Sequence, residues 1–383
     1  MLDYLDLEAT LSQEERMVKE TAREFAAEVR DDIAEHYHEG TFPVEIIPEM
    51  GELGFYAPNL DGYGLANVSE TAYGLVMQEL EACDSGLRSM ASVQGALVIY
   101  PIHAFGSEEQ KERWLPELAS GEAVGCFGLT EPNHGSNPSG METRAERDGD
   151  GYLLNGTKTW ITNSPISEVA LVWARTDDGT VRGFLVETDR DGVTTNEIEG
   201  KLSMRASVTG DIGLNDVWVP ESNVLPGVEG MKGPLSCLTQ ARFGIAWGAV
   251  GAARDCFETA REYAAERDQF DGPIARFQLQ QSKLAEMATQ ITLAQLLAYR
   301  LAELKTEGDL RPEQVSMAKR NNVRMARNQA RIAREMLGGN GITSDYSPMR
   351  HMANMETVYT YEGTHDIHTL ILGHDLTGIP AFE

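Results

Sequence analysis

The sequence predicts an α+β fold, mainly α, in which a small β domain lies between two helical domains. Apolar residues recur with the helical period of 3.6 in residues 1–124, and the period changes toward 2 in residues 125–228. Long helical segments return in residues 229–383. Helices, then strands, then helices indicate segregated α and β domains, and a chain of 383 residues is long enough for three.

The N-terminal domain begins with a clear helix signal. Ser12 and Glu15 form a capping-box pattern, and Val18, Ala22 and Phe25 then fall on one helical face. The sequence predicts four further helices, over residues 43–53, 69–82, 86–105 and 108–119. The first turn of the last one is rich in Glu, which suits the positive end of a helix dipole.

The middle domain shows the turns and the alternation of a small β structure. Asn155 and Gly156 form a dipeptide that is typical of a hairpin turn, and Asp178 with Gly179 marks a second turn. The last β stretch ends at Pro220. Several strands separated by turns predict a barrel or a sandwich.

The C-terminal domain is predicted to contain long helices over residues 234–266, 276–306 and 312–337. Gly338 and Gly339 follow the last of these segments as a helix C-cap would. Because this glycine cluster follows a helix and not a strand, the sequence does not support a Rossmann dinucleotide site.

The chain is strongly acidic, with 60 Asp and Glu against 32 Lys and Arg and a net charge of -28. Nucleic acid and anionic membrane are therefore excluded as expected partners, because both would be repelled. Adaptation to high salt is the sharper hypothesis, since molar salt shortens the Debye length to about 3 Å and screens the self-repulsion. An acidic mesophilic enzyme is the alternative, and unfolding measured from low to molar KCl distinguishes the two.

No targeting or metal-binding pattern stands out. No apolar run reaches the roughly 18 residues of a membrane span, and the first residues are acidic, so we expect a soluble cytoplasmic protein. Cys83, Cys126, Cys237 and Cys256 lie far apart, which favours buried packing over a metal site or disulfides.

The most informative stretch is residues 361–368, Tyr-Glu-Gly-Thr-His-Asp-Ile-His. Its polar groups crowd together without an apolar period, which favours a loop that presents Glu362 to a ligand. The stretch closely resembles the catalytic segment of acyl-CoA dehydrogenases, most closely that of glutaryl-CoA dehydrogenases. The resemblance extends over nearly the whole chain, including residues 241–248 and 319–322. It implies the acyl-CoA dehydrogenase fold, with a C-terminal four-helix bundle, and Glu362 as the base that removes a proton next to a thioester.

Two stretches of the middle domain resemble the flavin-binding elements of the same family. Without the resemblance, residues 127–136 are an ordinary Gly-rich turn and Trp160 is a core residue on a strand. Asn137 stands where many relatives have Asp, which removes a charge near the site. The resemblance assigns the following residues to binding of FAD: Phe127, Leu129, Thr130, Gly135, Ser136, Trp160, Ile161 and Thr162.

A second set of residues resembles the part of the family that binds the diphosphate and adenosine of FAD. A diphosphate requires a fixed guanidinium, although a single Arg at a helix end is more often only solvated. In the family these contacts come from a neighbouring subunit, so the resemblance implies a homotetramer. The residues assigned are Arg267, Phe270, Gln278, Glu335, Met336, Leu337, Gly338 and Gly339, together with Thr364, His365 and Asp366 beside the catalytic segment.

The substrate class depends on residues 81–89, which resemble the segment of glutaryl-CoA dehydrogenases that holds a distal carboxylate. Arg88 is the important residue, because an unpaired buried carboxylate costs several kcal/mol. Without the resemblance, an Asp84–Arg88 pair at i,i+4 is the simpler interpretation, worth about 0.3–0.5 kcal/mol. The resemblance assigns the substrate to Glu81, Arg88, Ser89, Ser136, Arg242, Tyr361, Gly363 and Phe382.

The resemblance therefore implies an FAD-dependent acyl-CoA dehydrogenase, in which glutaryl-CoA gives crotonyl-CoA and CO₂ and electrons pass to an electron-transfer flavoprotein. A dehydrogenase for short or branched monocarboxylic acyl-CoA, without decarboxylation, is the first alternative. An acyl-CoA oxidase is a second alternative, and a non-catalytic helical CoA-binding protein is a third, from another class. A flavin absorption band in the purified protein would exclude the third.

Overall fold

The computed structural model describes residues 3–381, and the N-terminal part of this range is helical. The predicted capping box is confirmed, since Ser12 Oγ accepts from the N–H of Glu15 and the Glu15 carboxylate accepts from the N–H of Ser12. The helices of this part are α1 (Gln13–Glu28), α2 (Arg30–Glu39), α3 (Ile47–Glu52), α4 (Glu70–Cys83), α5 (Ser85–Ser92), α6 (Tyr100–Phe105) and α7 (Glu108–Ser120).

The helix predicted over residues 86–105 is helical throughout but not uniform. Between α5 and α6 the backbone forms a π-helical stretch, Val93–Ile99, in which every residue is buried. Such wide turns are rare and occur often at functional sites. Two side chains of this stretch, Val93 and Leu97, reach the wall of the cavity described below.

The middle of the chain folds into one seven-stranded sheet within residues 3–381. Its order is β1-β4-β2-β3-β7-β6, with β5 paired to β4, and the pairs β1–β4 and β2–β4 are parallel. The predicted turn at Asp178 and Gly179 is confirmed between β4 and β5. The strands are β1 (Gly125–Gly128), β2 (Arg144–Asp148), β3 (Gly151–Thr162), β4 (Val169–Thr176), β5 (Val181–Glu187), β6 (Val193–Glu197) and β7 (Thr209–Pro220).

The hairpin predicted at Asn155 and Gly156 is wrong. Both residues lie inside β3, where the pairing with β7 shifts between Leu154 and Gly156. Gly156 has φ +154°, and a Cβ there would meet the Thr143 backbone and side chain at 2.4–2.8 Å. The glycine therefore serves a bulge and a close approach of two chain segments, for which the sequence signal resembles that of a turn.

The C-terminal part returns to helix, which confirms the predicted α-β-α order. Helix α4 approaches α8 closely, because a Cβ on Gly74 would meet the Trp247 ring at 2.3 Å. No helix within residues 3–381 is long and apolar enough to span a membrane. The helices are α8 (Lys232–Glu266), α9 (Gln278–Glu307), α10 (Pro312–Met336), α11 (Pro348–Thr360) and α12 (His365–Thr377).

Candidate active site

A cavity of about 790 Å³ lies where the π-helical stretch, the ends of β1 and β3, α8 and the segment after α11 meet. Such a volume is in the range of a cofactor or substrate site. Its wall brings together residues that are up to 282 positions apart in the sequence, Ser89 and Ile371. Of the predicted site residues it contains Ser89, Phe127, Leu129, Thr130, Gly135, Ser136, Trp160, Ile161, Thr162, Arg242, Tyr361, Glu362, Gly363 and Thr364.

The segment that carries Glu362 is a short loop between α11 and α12. Glu362 has φ +51° and Gly363 has φ +93°, so the chain turns sharply at the predicted base. The expectation of a loop through residue 368 is wrong, because α12 begins at His365. Thr364 caps that helix by accepting the Ile367 N–H at 3.1 Å, and Asp366 lies in the first turn.

Two buried cations hold the backbone of this loop. Arg242 Nε donates to the carbonyl of Glu362 at 2.6 Å. Lys319 Nζ donates to the carbonyls of Tyr361 and of Gly363, the second at 2.7 Å. Three consecutive carbonyls are thus satisfied, which offsets the cost of a non-glycine residue at positive φ.

The carboxyl of Glu362 is left without a hydrogen bond to hold it. Its Oε2 is buried and has no hydrogen-bond partner among the residues that the structure describes. Burial raises the pKa of Glu362 above its ordinary value, although Arg88, Lys319 and Arg242 act to lower it. A carboxylate in this setting is more basic than one in water, which suits abstraction of a proton from carbon.

Arg88 lies behind Tyr361 and is completely buried. Its Nε pairs with the Glu81 carboxylate and its Nη2 donates to the Tyr361 hydroxyl. The simple Asp84–Arg88 pair is not formed, because Asp84 accepts the Gly86 N–H at the start of α5 and pairs with Arg350 at 3.2 Å. Arg88 Nη1 and Glu81 Oε1 have no hydrogen-bond partner within residues 3–381.

The wall formed by the middle domain fits the isoalloxazine ring of a flavin. Phe127, Leu129 and Ile161 provide apolar surface. The hydroxyls of Thr130 and Thr162 line the cavity and make no hydrogen bond within the described part of the chain, so they are free for the polar edge of a ring.

The loop that carries Thr130 is fixed by a buried ion pair. Glu131 accepts Lys158 Nζ at 2.8 Å and the Thr143 N–H at 2.9 Å. Burial opposes ionisation, but these bonds and the one from the Glu142 N–H lower the pKa of Glu131 to about 2. At the rim, Trp160 has φ +60° and its side chain is 61% exposed, so it is not the core residue of an ordinary strand.

The residues predicted for the adenosine half of FAD do not line this cavity. They cluster where α8 and α10 end and α9 begins, and Arg267, Phe270, Gln278, Glu335, Gly338 and Gly339 are exposed there. Met336 and Leu337 are buried in the helix core.

Four further predicted residues among those that the structure describes do not line the cavity either: Glu81, Arg88, His365 and Asp366. His365 stacks on Tyr359 with ring centroids 4.4 Å apart. Asp366 is exposed. Phe382 lies outside the described residues.

Some residues of the site were missed by sequence reasoning. Lys319 is the most consequential, since it contacts the base loop directly. A signal existed, because Lys319 follows Val315 and precedes Val323 by four residues on the buried face of α10. The cavity wall also contains Lys201, Leu202, Ser203, Met204, Leu235, Leu238, Thr357, Thr360 and Ile371, which no motif indicates.

A buried carboxyl with a raised pKa, facing a cavity of this size, fits an oxidoreductase that binds a flavin. Family models agree: residues 12–122, 126–217 and 229–377 match the N-terminal, middle and C-terminal domains of acyl-CoA dehydrogenase. The chain therefore belongs to the acyl-CoA dehydrogenase family.

Among curated relatives, the probable acyl-CoA dehydrogenase YngJ of Bacillus subtilis is 37% identical, over 96% of this chain and 98% of its own. The bovine mitochondrial short-chain specific acyl-CoA dehydrogenase is 35% identical, over 95% and 90%.

Two solved structures have a higher sequence identity to this chain than these relatives, and a third resembles it in fold. A glutaryl-CoA dehydrogenase from Mycobacterium smegmatis has a TM-score of 0.97 and 54% identity over 98% of both chains. A second structure, described as a Mycobacterium smegmatis glutaryl-CoA dehydrogenase in complex with FADH2, has a TM-score of 0.97 and 51% identity over 99% of this chain and 98% of the other. A glutaryl-CoA dehydrogenase in complex with glutaryl-CoA has a TM-score of 0.92 and 34% identity over 96% of both.

Proposed function

We propose that this chain oxidises and decarboxylates glutaryl-CoA, giving crotonyl-CoA and CO₂. The observation that carries the proposal is the buried Arg88, whose Nη1 lacks a partner within residues 3–381 and whose Nη2 binds the residue next to Glu362. A monocarboxylic acyl chain has no use for a guanidinium there, whereas the distal carboxylate of a dicarboxylic chain does. Two of the structures named above, both described as glutaryl-CoA dehydrogenases, support the same substrate.

The FAD prediction is confirmed by the family membership and by the relative solved with FADH2. Thr130, Thr162 and Trp160 are the residues we assign to the flavin ring, since they offer free hydroxyls and an aromatic face at the cavity wall. Bound FAD supplies the acceptor for the hydride that leaves C3 of the acyl chain.

The chain's own contribution begins with Glu362. Its carboxylate takes the proton from C2, which the thioester carbonyl acidifies, and the buried setting makes it basic enough to do so. Negative charge then develops on the thioester oxygen, and we assign the N–H of Glu362 as a donor to it. Arg242 and Lys319 hold the backbone that presents this N–H.

Decarboxylation follows from the chemistry of the oxidised product. In glutaconyl-CoA the C4–C5 bond can break because the enoyl thioester accepts its electron pair, and C5 leaves as CO₂. The resulting dienolate needs a proton at C4. The Glu362 carboxyl has just gained one from C2, and burial, which raises its pKa, favours the protonated form.

Two parts of the proposal concern partners. We propose an electron-transfer flavoprotein as the acceptor of electrons, as the resemblance to the family implies. We also propose that a neighbouring copy completes the adenosine half of the FAD site, in a homotetramer. The exposure of Arg267 and Phe270 supports this arrangement.

The test uses glutaryl-CoA labelled with ¹³C at its terminal carboxyl, an artificial electron acceptor and the purified holoenzyme. We expect labelled CO₂ and crotonyl-CoA in equal amounts. The alternative is a short-chain dehydrogenase, which the name of the bovine relative favours. Oxidation of butyryl-CoA with no reaction of glutaryl-CoA would establish that alternative, and release of glutaconyl-CoA would refute only the decarboxylation.

A further inference from the structure

Lys319 is an ammonium group buried in the apolar face of α10. It is 1% exposed, and Val315 and Val323 lie one turn before and after it on the same face. A buried lysine without a carboxylate partner is costly, so its retention needs a specific contact. The proposed mechanism gives this residue no direct contact with substrate.

The contacts of Lys319 are with backbone and not with a carboxylate. Its Nζ donates to the carbonyls of Tyr361 and Gly363, the two residues that flank Glu362. It also lies 5.6 Å from the centroid of the Tyr361 ring. The Lys319 ammonium therefore links the backbone carbonyls on either side of Glu362 and leaves the Glu362 side chain free.

We propose that Lys319 is a positioning residue that fixes the backbone on both sides of Glu362 and so aims its carboxyl into the cavity. The proposal rests on Glu362 being the base of the proposed function. It extends that function, because it makes proton abstraction depend on a side chain of α10 that the substrate does not touch.

The backbone geometry gives the physical reason. Glu362 adopts φ +51°, a conformation that costs a non-glycine residue about 1–3 kcal/mol unless its surroundings impose it. Arg242 binds only the middle carbonyl of the three. Without Lys319 the two outer carbonyls lose their donor, and the loop is free to relax away from the strained turn.

The charge of Lys319 adds an electrostatic effect on the base. Charged or titratable groups face Lys319 from α5 (Arg88), α8 (Arg242), α12 (His368) and the loop itself (Tyr361 and Glu362). Burial lowers the pKa of Lys319 to about 7; Glu362 opposes this shift, and the two arginines add to it.

Lys319 and Glu362 therefore titrate as a pair. Below neutral pH the protonated Lys319 favours the carboxylate form of Glu362. Removing the lysine should consequently raise the pKa of Glu362 further. The acid limb of the pH profile for the rate of proton abstraction should then move to higher pH.

The experiment follows proton abstraction alone. In 3-thiabutyryl-CoA sulfur replaces the β-carbon, so no β-hydride can leave. Exchange of its α-hydrogens for deuterium in D₂O, measured by mass spectrometry on the holoenzyme across pH, reports the base and does not depend on which acyl chain is the natural substrate. FAD content and thermal unfolding of each variant are measured in parallel.

We expect Lys319→Met to slow the exchange at least about tenfold and to move the acid limb to higher pH. Lys319→Arg keeps the charge and the hydrogen-bond donors. The acid limb of its exchange profile should therefore lie at the same pH as in the unmodified enzyme, and part of the exchange rate should be recovered. Lys305→Met is the matched control, because Lys305 is also largely buried but pairs with Glu70 at 2.7 Å and not with the loop. The control should stay within about twofold of the original rate.

Each outcome has a defined meaning. A folded Lys319→Met protein with unchanged rate and pH profile would overturn the proposal while leaving Glu362 as the base. Unchanged exchange in Glu362→Gln would remove the base assignment itself and the proposal with it. Should Lys319→Met fail to fold, Lys319→Gln is measured in its place, since it also removes the charge and cannot donate to both carbonyls as Nζ does. An unchanged exchange rate and pH profile in that folded variant would overturn the proposal in the same way.

Discussion

The two ends of the proposed FAD site differ in how completely one chain builds them. At the base end, three successive carbonyls of the loop around Glu362 are held by Arg242 and Lys319. At the adenosine end, Phe270 is 80% exposed, and Arg267 makes no side-chain hydrogen bond or ion pair with any described residue. The proposed base, whose atoms need a defined position, thus lies inside the fold, whereas the residues proposed to bind the nucleotide lie on a surface.

This difference has a physical origin. A base of this kind needs a raised pKa, and at Glu362 burial away from water raises it. A diphosphate carries its own charge and binds wherever a guanidinium can reach it. The adenosine end can therefore be completed by a second copy of the chain without any loss of precision at Glu362.

The base end should show the largest effect of a single change. Glu362→Gln keeps the size of the side chain but removes the proton acceptor, so we expect turnover of any acyl-CoA to fall by about 10²–10⁴-fold or more. FAD content and thermal unfolding should remain close to those of the unmodified protein, since Glu362 Oε2 makes no hydrogen bond with the described residues. Stopped-flow bleaching of the flavin by substrate measures the loss.

The pH profile sharpens the same prediction. Glu362 can accept a proton only when it is ionised. Because its pKa is raised above the ordinary value of 4.5, kcat/KM should rise with pH at pH values above 4.5. An acid limb at or below pH 4.5, or near-normal turnover in Glu362→Gln, would place the base elsewhere.

At the adenosine end the effect should be smaller and different in kind. Arg267→Ala removes the guanidinium assigned to the diphosphate, and a hydrogen bond to a charged group is worth about 1.5–3 kcal/mol, so we expect FAD to bind at least about tenfold more weakly. With saturating FAD, the pH profile of α-hydrogen exchange should not change. Fluorescence titration of the apoprotein with FAD measures the affinity.

Arg261→Ala is the matched control for Arg267→Ala, since Arg261 is a partly exposed arginine near the end of the same helix and pairs only with Glu262. Equal FAD affinity in both variants would mean that Arg267 contributes no more to FAD binding than Arg261 does. This result would contradict the assignment of Arg267 to the diphosphate.

Sequence reasoning predicted the site residues best where the residue type has a single chemical use in a site of this kind. Glu362, Thr130 and Trp160 were predicted and do meet at one cavity. Their assignment came from resemblance, because the three stretches that carry them show no periodicity that would bring them together. Arg88 was expected to hold the distal carboxylate of the substrate, with a local Asp84 pair as the alternative. Its pairing with Glu81 across two helices was not predicted.

The failures share a cause, which is that local signals have more than one structural use. Asn155 and Gly156 resemble a hairpin turn but serve a bulge in β3. Thr364 caps helix α12 in a stretch where the run of polar residues predicted a loop. The sequence does not distinguish Lys319 from other helical lysines, because its contact with the Glu362 loop is formed only in the fold. The high-salt hypothesis and the homotetramer stay predictions, because both concern surfaces and not the interior of one chain.

The most direct test of the central claim, that a dicarboxylic acyl-CoA is held between Arg88 and Glu362, changes the anchor and leaves the base intact. Arg88→Ala alone would leave Glu81 as an uncompensated buried charge. The double variant Glu81→Leu with Arg88→Met removes both charges together. The measurement is kcat/KM for glutaryl-CoA and for butyryl-CoA in that variant. We predict that the value for glutaryl-CoA falls at least tenfold more than the value for butyryl-CoA; equal losses on both substrates would contradict the account.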